Sequence, residues 1–387
     1  MRILALPLAL AAWGAQAQSG MDVQPQPPTT TLTEPTAPKS PTWSWPRPYV
    51  LAQSSTWSNG LPVMDPEGSW TRGYHARSGT QRAYQNIRAE AGVAFELPAL
   101  PQAGRWQVGA LARSQSLIDL SGEAAQVLQA YQSRQDPQSP QTFMTQARVL
   151  TWRGKGLALR SPTWQVGPAT VAVRAEWMTL KRLRISHAQG DISYQGDGAY
   201  DYQLQVDDSS PSAHTYFLPR GDKLGQAQSL SLALGWKASE TLDFSLNLDD
   251  LWSRLHWAHL NALQANIDTQ VARKTPEGYV EYQAAIQGQY TPGPLNVRMG
   301  RTVEALAQWR RPEGVWSLRL NHQGGLQQTW LGWHTRSDDG FGVAIEPRFG
   351  ALQWGANWRG LQAQLMFDRL DSAAHVRQWG LGYATPW

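Results

Sequence analysis

The sequence predicts an all-β fold, a transmembrane antiparallel up-and-down β-barrel. Closure with an even strand number suggests about 16 strands, within a range of about 14–18. Three observations lead there. The chain begins with a short apolar run of the kind that directs export. From Tyr49 onward, short segments alternate apolar with polar residues almost without pause. And the 20 Trp are spread along the whole length rather than gathered in one place. The sequence divides into residues 1–17, 18–48 and 49–387.

In the first segment, Arg2 gives a positive start, Ile3 to Trp13 is apolar, and Ala15-Gln16-Ala17 has the small-x-small form of a cleavage site. This predicts a secretory signal peptide cut after Ala17. The apolar run is too short to cross a bilayer as a helix, which takes about 20 residues. There is no Cys, so disulfides, thiolate metal sites and a lipid-modified cysteine are excluded. The net charge is +4, and removing residues 1–17 takes away Arg2 alone. Near balance over such a length argues against nucleic acid as a partner, which needs a concentrated basic surface. No cofactor is expected.

Residues 18–48 are rich in Pro, Thr, Ser and Gln. Such a composition cannot bury a core and predicts a disordered arm. It serves as a linker or as a tether to a periplasmic partner.

The barrel segment is read from period-2 alternation. Ile87, Ala89, Ala91, Val93, Phe95 and Leu97 interleave with Asn86, Arg88, Glu90 and Glu96. Trp106, Val108, Ala110 and Ala112 form the next strand. Val171 to Trp177, Tyr200 to Val206, and Leu230 to Trp236 continue the pattern. Leu242 to Leu248 return after a turn at Lys237–Thr241. Leu352, Trp354, Ala356 and Trp358 form a hairpin with Leu361, Ala363, Leu365 and Phe367 around Arg359-Gly360. Asn59-Gly60, Gly196-Asp197-Gly198, Arg311 to Gly314 and Ser337 to Gly340 are further turn signals. Two places break the alternation. Ile118 to Arg134 has helical spacing, with Ser121 able to cap, and predicts a short helix in a loop. At Asp249-Asp250 the apolar parity changes, which requires a bulge or a turn.

Alternation alone does not separate a barrel from a two-sheet sandwich. Trp near strand ends favours lipid, because indole suits the membrane–water interface. Trp106, Trp236, Trp354, Trp358, Trp379, Tyr383 and Trp387 are the expected interface aromatics. The opposite face carries bulky polar groups that suit a wet lumen. Arg254, His256, Arg319, Asn321, Asn357, Arg359, Gln364 and Asp368 are the expected lumen lining.

At the C-terminus, Trp379, Leu381, Tyr383 and Trp387 share one parity and end on an aromatic residue. This segment resembles the C-terminal signal of bacterial outer-membrane β-barrel proteins. The resemblance covers about ten residues. It implies that the last strand is read by the barrel assembly machinery and closes the barrel against the first strand, with outer-membrane lipid and lipopolysaccharide around it.

No catalytic set can be assembled, so no enzyme is expected. His256 and His259 are three apart and fall on opposite faces of a strand. Ser58-Asn59-Gly60 is similar to a motif of outer-membrane phospholipases, but Ser55, Thr56 and Trp57 precede it where a His is needed as base; His75 lies further along. Lys181, Arg182 and Arg184 form a small basic cluster that suits a pore or acidic headgroups. The function these features predict is a passive porin-like channel, or the barrel subunit of an envelope export or assembly system, in the outer membrane. The alternative is a secreted or periplasmic all-β carbohydrate-binding protein. That alternative would gather its Trp in one cleft.

Overall fold

Alternating segments can satisfy their backbone in a bilayer only by pairing into a sheet with no free edge. The computed structural model of the chain has that closure. It describes residues 46–61, 76–96, 104–211, 221–270, 272–274, 280–282, 285–336, 339–370 and 374–384. The signal segment 1–17, nearly all of the 18–48 arm, His75 and Trp387 lie outside the described residues.

The first strands are β1 (Arg47–Ser58), β2 (Gln81–Glu96) and β3 (Arg105–Leu120). Helix α1 (Gly122–Ser133) precedes β4 (Gln141–Arg160), β5 (Trp164–Val166), β6 (Ala169–Gly196), β7 (Ala199–Ser209), β8 (Gly225–Lys237) and β9 (Leu242–Asp268). A small separate hairpin, β10 (Ala272–Lys274) with β11 (Val280–Tyr282), follows. The chain then continues as β12 (Ile286–Val297), β13 (Thr302–Arg311), β14 (Gly314–Gln323), β15 (Leu326–His334) and β16 (Gly340–Glu346). It ends with β17 (Ala351–Trp358), β18 (Leu361–Phe367) and β19 (Val376–Ala384).

Every wall pairing is antiparallel, and β1 closes on β19 with Tyr49 opposite Ala384 and Trp57 opposite Val376. The wall has 14 positions, at the low edge of the expected range. The number is smaller than the strand count because some strands share a position. β5 continues β4 along β6. β7 and β8 lie end to end between β6 and β9. β12 and β13 lie end to end on the other side of β9.

The two rims differ. One, the turn end, holds both described chain ends and the connections 167–168, 238–241, 312–313, 335–339 and 359–360. The other, the loop end, holds the long connections 59–80, 121–140 and 269–285. The wall is also uneven. β6 has 28 residues and β9 has 27, against 7 in β16 and β18. At about 3.3 Å per residue the tall side runs roughly 90 Å along the strand, and the short side about 25 Å.

The expected helix is shorter at its start. β3 runs through Ile118 to Leu120, and Ser121 caps α1 by accepting from Ala124 N at 3.1 Å. Ile118 and Leu120 are buried with Leu61, Ala125 and Val149. Tertiary pairing with β2 and β4 therefore overrides the helical spacing at those two residues.

The outer face is the apolar one. Trp354 and Trp358 are each 60% exposed, and Leu352, Leu361, Leu365, Phe341, Val343 and Ile345 are exposed beside them. Their neighbours of opposite parity point inward. On three adjacent strands near the turn end, Trp309 lies opposite Trp316, and Trp316 opposite Trp333. Trp236 and Phe244 extend the row, with ring centroids 5.9 Å apart. Trp177 and Trp252, also exposed, stand farther toward the loop end. Two aromatic levels with aliphatic residues between them are the outer surface of a membrane-spanning barrel. Of the expected interface aromatics, Trp236, Trp354, Trp358 and Tyr383 are exposed; Trp106 and Trp379 are half-buried on the same outer parity.

Candidate functional site

The inward face carries charge where the sequence displayed only routine alternation. Arg88 and Glu90 on β2, Arg113 on β3, Arg174 and Glu176 on β6, and Asp250 on β9 are all buried. They form one network. Arg113 Nη1 is 2.8 Å from Asp250 Oδ1 and 3.1 Å from Glu176 Oε2. Arg174 Nε donates to Glu176 Oε1 at 2.7 Å and its Nη2 pairs with Glu90. Arg88 also pairs with Glu176. Tyr49 OH donates to Glu90 at 2.6 Å, and Ser229 Oγ to Asp250 at 2.5 Å. Three guanidinium groups thus meet three carboxylates. A buried charge without such pairing would cost several kcal/mol.

Asp250 reaches the centre because the strand breaks there. Its φ is +54°, in the left-handed region, and the β8–β9 register shifts between Leu230 and Leu232. Ser231 Oγ accepts from Asp250 N at 3.1 Å. Before this point Phe244 faces out; beyond it Ser253, Leu255 and Trp257 face in. The irregularity expected at Asp249-Asp250 is this bulge, but it inserts two residues and so leaves the facing parity unchanged. Even-numbered residues face out before it, as Phe244, and after it, as Trp252; the apolar residues change parity because the lumen beyond is apolar and the outer wall polar.

Toward the loop end an apolar layer covers the network. Trp152, Trp257, Leu180, Leu255, Met178 and Met299 are buried together. Met299 comes from the 298–301 connection between β12 and β13, which folds inward. Its N donates to Ser253 Oγ at 3.0 Å, and Gly300 N donates to Gln115 Oε1 at 3.3 Å. Gln115 also accepts from Trp152 Nε1 at 3.1 Å and donates to Tyr84 OH at 2.7 Å. Trp257 fits only because residue 225 is Gly. A Cβ there would lie 2.3 Å from the indole ring.

Toward the turn end the network faces a cavity of about 200 Å³. It runs from Thr163, Thr170 and Gly235 to Arg88 and Arg113, with Gln53, Asn247, Arg319 and Asn321 along its sides. Asn86 Oδ1 and Asn321 Oδ1 have no protein partner there. Both can bond water in a cavity of this size.

The sequence-predicted lining divides into three groups. Arg319 and Asn321 line the cavity, and Arg319 stacks over Trp330 at 5.3 Å and bonds Gln353. Asn357 and Gln364 share the inward parity of their strands, opposite one another's neighbours across the β17–β18 hairpin. The other four are elsewhere. Arg254 and His256 stand on the outer face, both bonded to Asn296 Oδ1 at 3.0 Å, because even-numbered residues of β9 face out on both sides of the Asp250 bulge and it is Leu255 and Trp257 that fill the lumen there. Arg359 is the turn residue of the hairpin, with φ +46°, and lies over the Trp358 ring. Asp368 lies past the end of β18 and accepts from Val376 N and His375 N at 2.9 and 3.1 Å. Sequence reasoning missed the network itself. The signal was present as charged residues of inward parity, Arg88, Glu90, Arg113, Arg174 and Glu176, but alternation gives no hint of which strands face each other across a lumen.

Ser58-Asn59-Gly60 closes β1. Asn59 Oδ1 accepts from Arg82 N at 2.6 Å and Ser58 Oγ from Gly60 N at 3.0 Å. His259 lies 3.4 Å from Asp222, away from His256 and its Asn296 partner.

No family model and no curated protein matches the chain. Among solved structures it is similar to the toluene transporter TbuX of Ralstonia pickettii, at 9% identity over 88% of this chain and 89% of that one, with a TM-score of 0.33. It is similar in the same way to the toluene transporter TodX of Pseudomonas putida, at 9% identity, 88% and 89% coverage and a TM-score of 0.34. The outer membrane protease OmpT of Escherichia coli follows at 8% identity, 88% and 95% coverage and a TM-score of 0.23. These likenesses are too distant to assign an activity.

Proposed function

We propose that the chain is an outer-membrane channel for small polar solutes whose lumen is closed at rest. The observation that carries this reading is the polar cavity that ends on the Arg113–Asp250 network, with the Trp152–Trp257–Met299 layer behind it. A wide water-filled pore would leave the lumen open. Here side chains and the 298–301 connection fill it. The cavity volume is below the roughly 300–1,000 Å³ of drug-sized sites, which favours a small solute. Oriented polar groups and balanced charge favour weak charge selectivity. The location rests on the closed barrel, its apolar outer surface and the export signal at residues 1–17. The long connections at the loop end then face outward, since short turns face the periplasm in such barrels. The carbohydrate-binding alternative is disfavoured, because most described Trp lie around the outer surface, Trp152 and Trp257 belong to the buried layer, and Trp57 and Trp330 alone among them line the cavity.

The test is solute entry into phosphatidylcholine vesicles carrying the purified barrel. A small amino acid or monosaccharide should enter slowly with the native chain and much faster with Trp257→Ala, while a large oligosaccharide stays out. Entry of neither small solute with either protein would sink the channel reading.

A further inference from the structure

The outer wall changes character abruptly on its tall side. Leu157 on β4 lies opposite Trp177 on β6, and both are exposed, at 58% and 49%. One outward row nearer the loop end, Lys155 lies opposite Thr179, Thr179 opposite Gln226, and Gln226 opposite His256. The next row has Arg153 opposite Arg182. At this row the β4–β6 register shifts, leaving Lys181 as the extra residue, and Lys181 and Arg182 are both exposed. Exposed Arg153, Lys155, Lys181 and Arg182 therefore occupy two neighbouring strands, directly above the apolar band.

No described carboxylate pairs with any of the four. Nearby Asp208 is engaged by Arg184 at 3.1 Å. The 212–220 segment contains no Asp or Glu. Like charges directly opposite on paired strands are destabilising, and a bulge that aims a further cation the same way increases the repulsion. Neighbouring strands are about 4.8 Å apart and alternate residues about 7 Å, so the four side chains can close on phosphate oxygens with charge-assisted bonds.

We infer that this patch binds the phosphorylated headgroup of a lipid in the loop-side leaflet, with the acyl chains lying against Leu157 and Trp177. The inference rests on the barrel spanning the membrane with its loop end outward, but not on conduction.

The experiment is native mass spectrometry of the full barrel in detergent with bisphosphorylated lipid A as probe. Phosphatidylethanolamine and inorganic phosphate serve as comparators. The native chain should retain lipid A. Lys155→Gln with Arg182→Gln should weaken retention roughly 30-fold, at about fivefold per cation. Arg153→Gln with Lys181→Gln should do the same, while Lys237→Gln at the turn end should change nothing. Heat-dependent mobility on SDS gels verifies that each variant folds. Unchanged lipid A retention in both folded double variants would overturn the site. So would equal retention of phosphatidylethanolamine, or full displacement of lipid A by millimolar inorganic phosphate, which would mark a free-anion site. A native chain that fails to insert into vesicles would instead refute the membrane reading.

Discussion

Arg113 on β3 and Asp250 on β9 hold each other across the lumen, 137 positions apart in sequence, with Nη1 2.8 Å from Oδ1. Their strands are not wall neighbours: β4, β6 and β8 stand between them. The pair is a strut across the barrel. It joins a strand whose inward face is regular to one that bulges inward by two residues at Asp250.

Asp250→Asn should isolate the charge, because Asn tolerates the left-handed backbone at this position. It leaves Arg113 with Glu176 as its remaining acid and overcharges the network. Breaking a buried pair in this way costs about 3–5 kcal/mol. Urea unfolding in lipid vesicles, followed by Trp fluorescence, should show the loss. A change below about 1 kcal/mol, typical of an exposed pair, would mean that water screens the network.

Adjacent residues on β18 should respond oppositely. Leu365 is exposed on the outer face, so Leu365→Lys should cost about 2–4 kcal/mol if lipid covers it. Gln364→Lys, on the inward parity, should cost less and alter ion preference instead. Equal costs at both positions would argue against lipid on one side and water on the other.

The apolar layer should be sensitive in both directions. Trp257→Ala removes a fully buried indole and should cost about 3–5 kcal/mol. Gly225→Ala overpacks the same spot and should cost about 1–3 kcal/mol. The unfolding midpoints of the two variants provide the check.

Asp368 should hold the 368–375 connection over a wide pH range. Burial opposes its carboxylate, but the bonds from the His375 side chain and from the His375 and Val376 backbone N–H groups outweigh this and hold its pKa below the ordinary value. A depressed folded pKa means the stabilisation is fully present above the unfolded pKa of about 3.9 and is lost as pH falls through the lower folded value. Hydrogen exchange at His375 and Val376 should therefore stay slow from neutral pH to about pH 4. In Asp368→Asn it should be fast throughout. Equal protection in the variant would show that the carboxylate is dispensable.

Much of the wall was legible in the sequence because a strand with lipid on one side and a lumen on the other must alternate. The hairpin around Arg359-Gly360 and the outward Leu230-to-Trp236 face follow from that rule; at Asp249-Asp250 it located the bulge but not its outcome, because two inserted residues keep the faces and the apolar residues move to the lumen. The number of wall positions was less legible, since β7 with β8 and β12 with β13 read as four strands but fill two positions. Polarity alone points Arg254 and His256 to the lumen, yet they sit on the tall outer wall, where polar residues extend beyond the apolar band. The network escaped because its members lie on strands that meet only after the barrel closes.

Single-channel conductance in planar bilayers tests the central claim most directly. The native chain should insert and remain closed or weakly conducting. Asp250→Asn, with the strut broken, should open severalfold larger currents at the same voltage. Native currents as large as those of the variant, from an inserted and folded barrel, would contradict a lumen closed by Arg113 and Asp250.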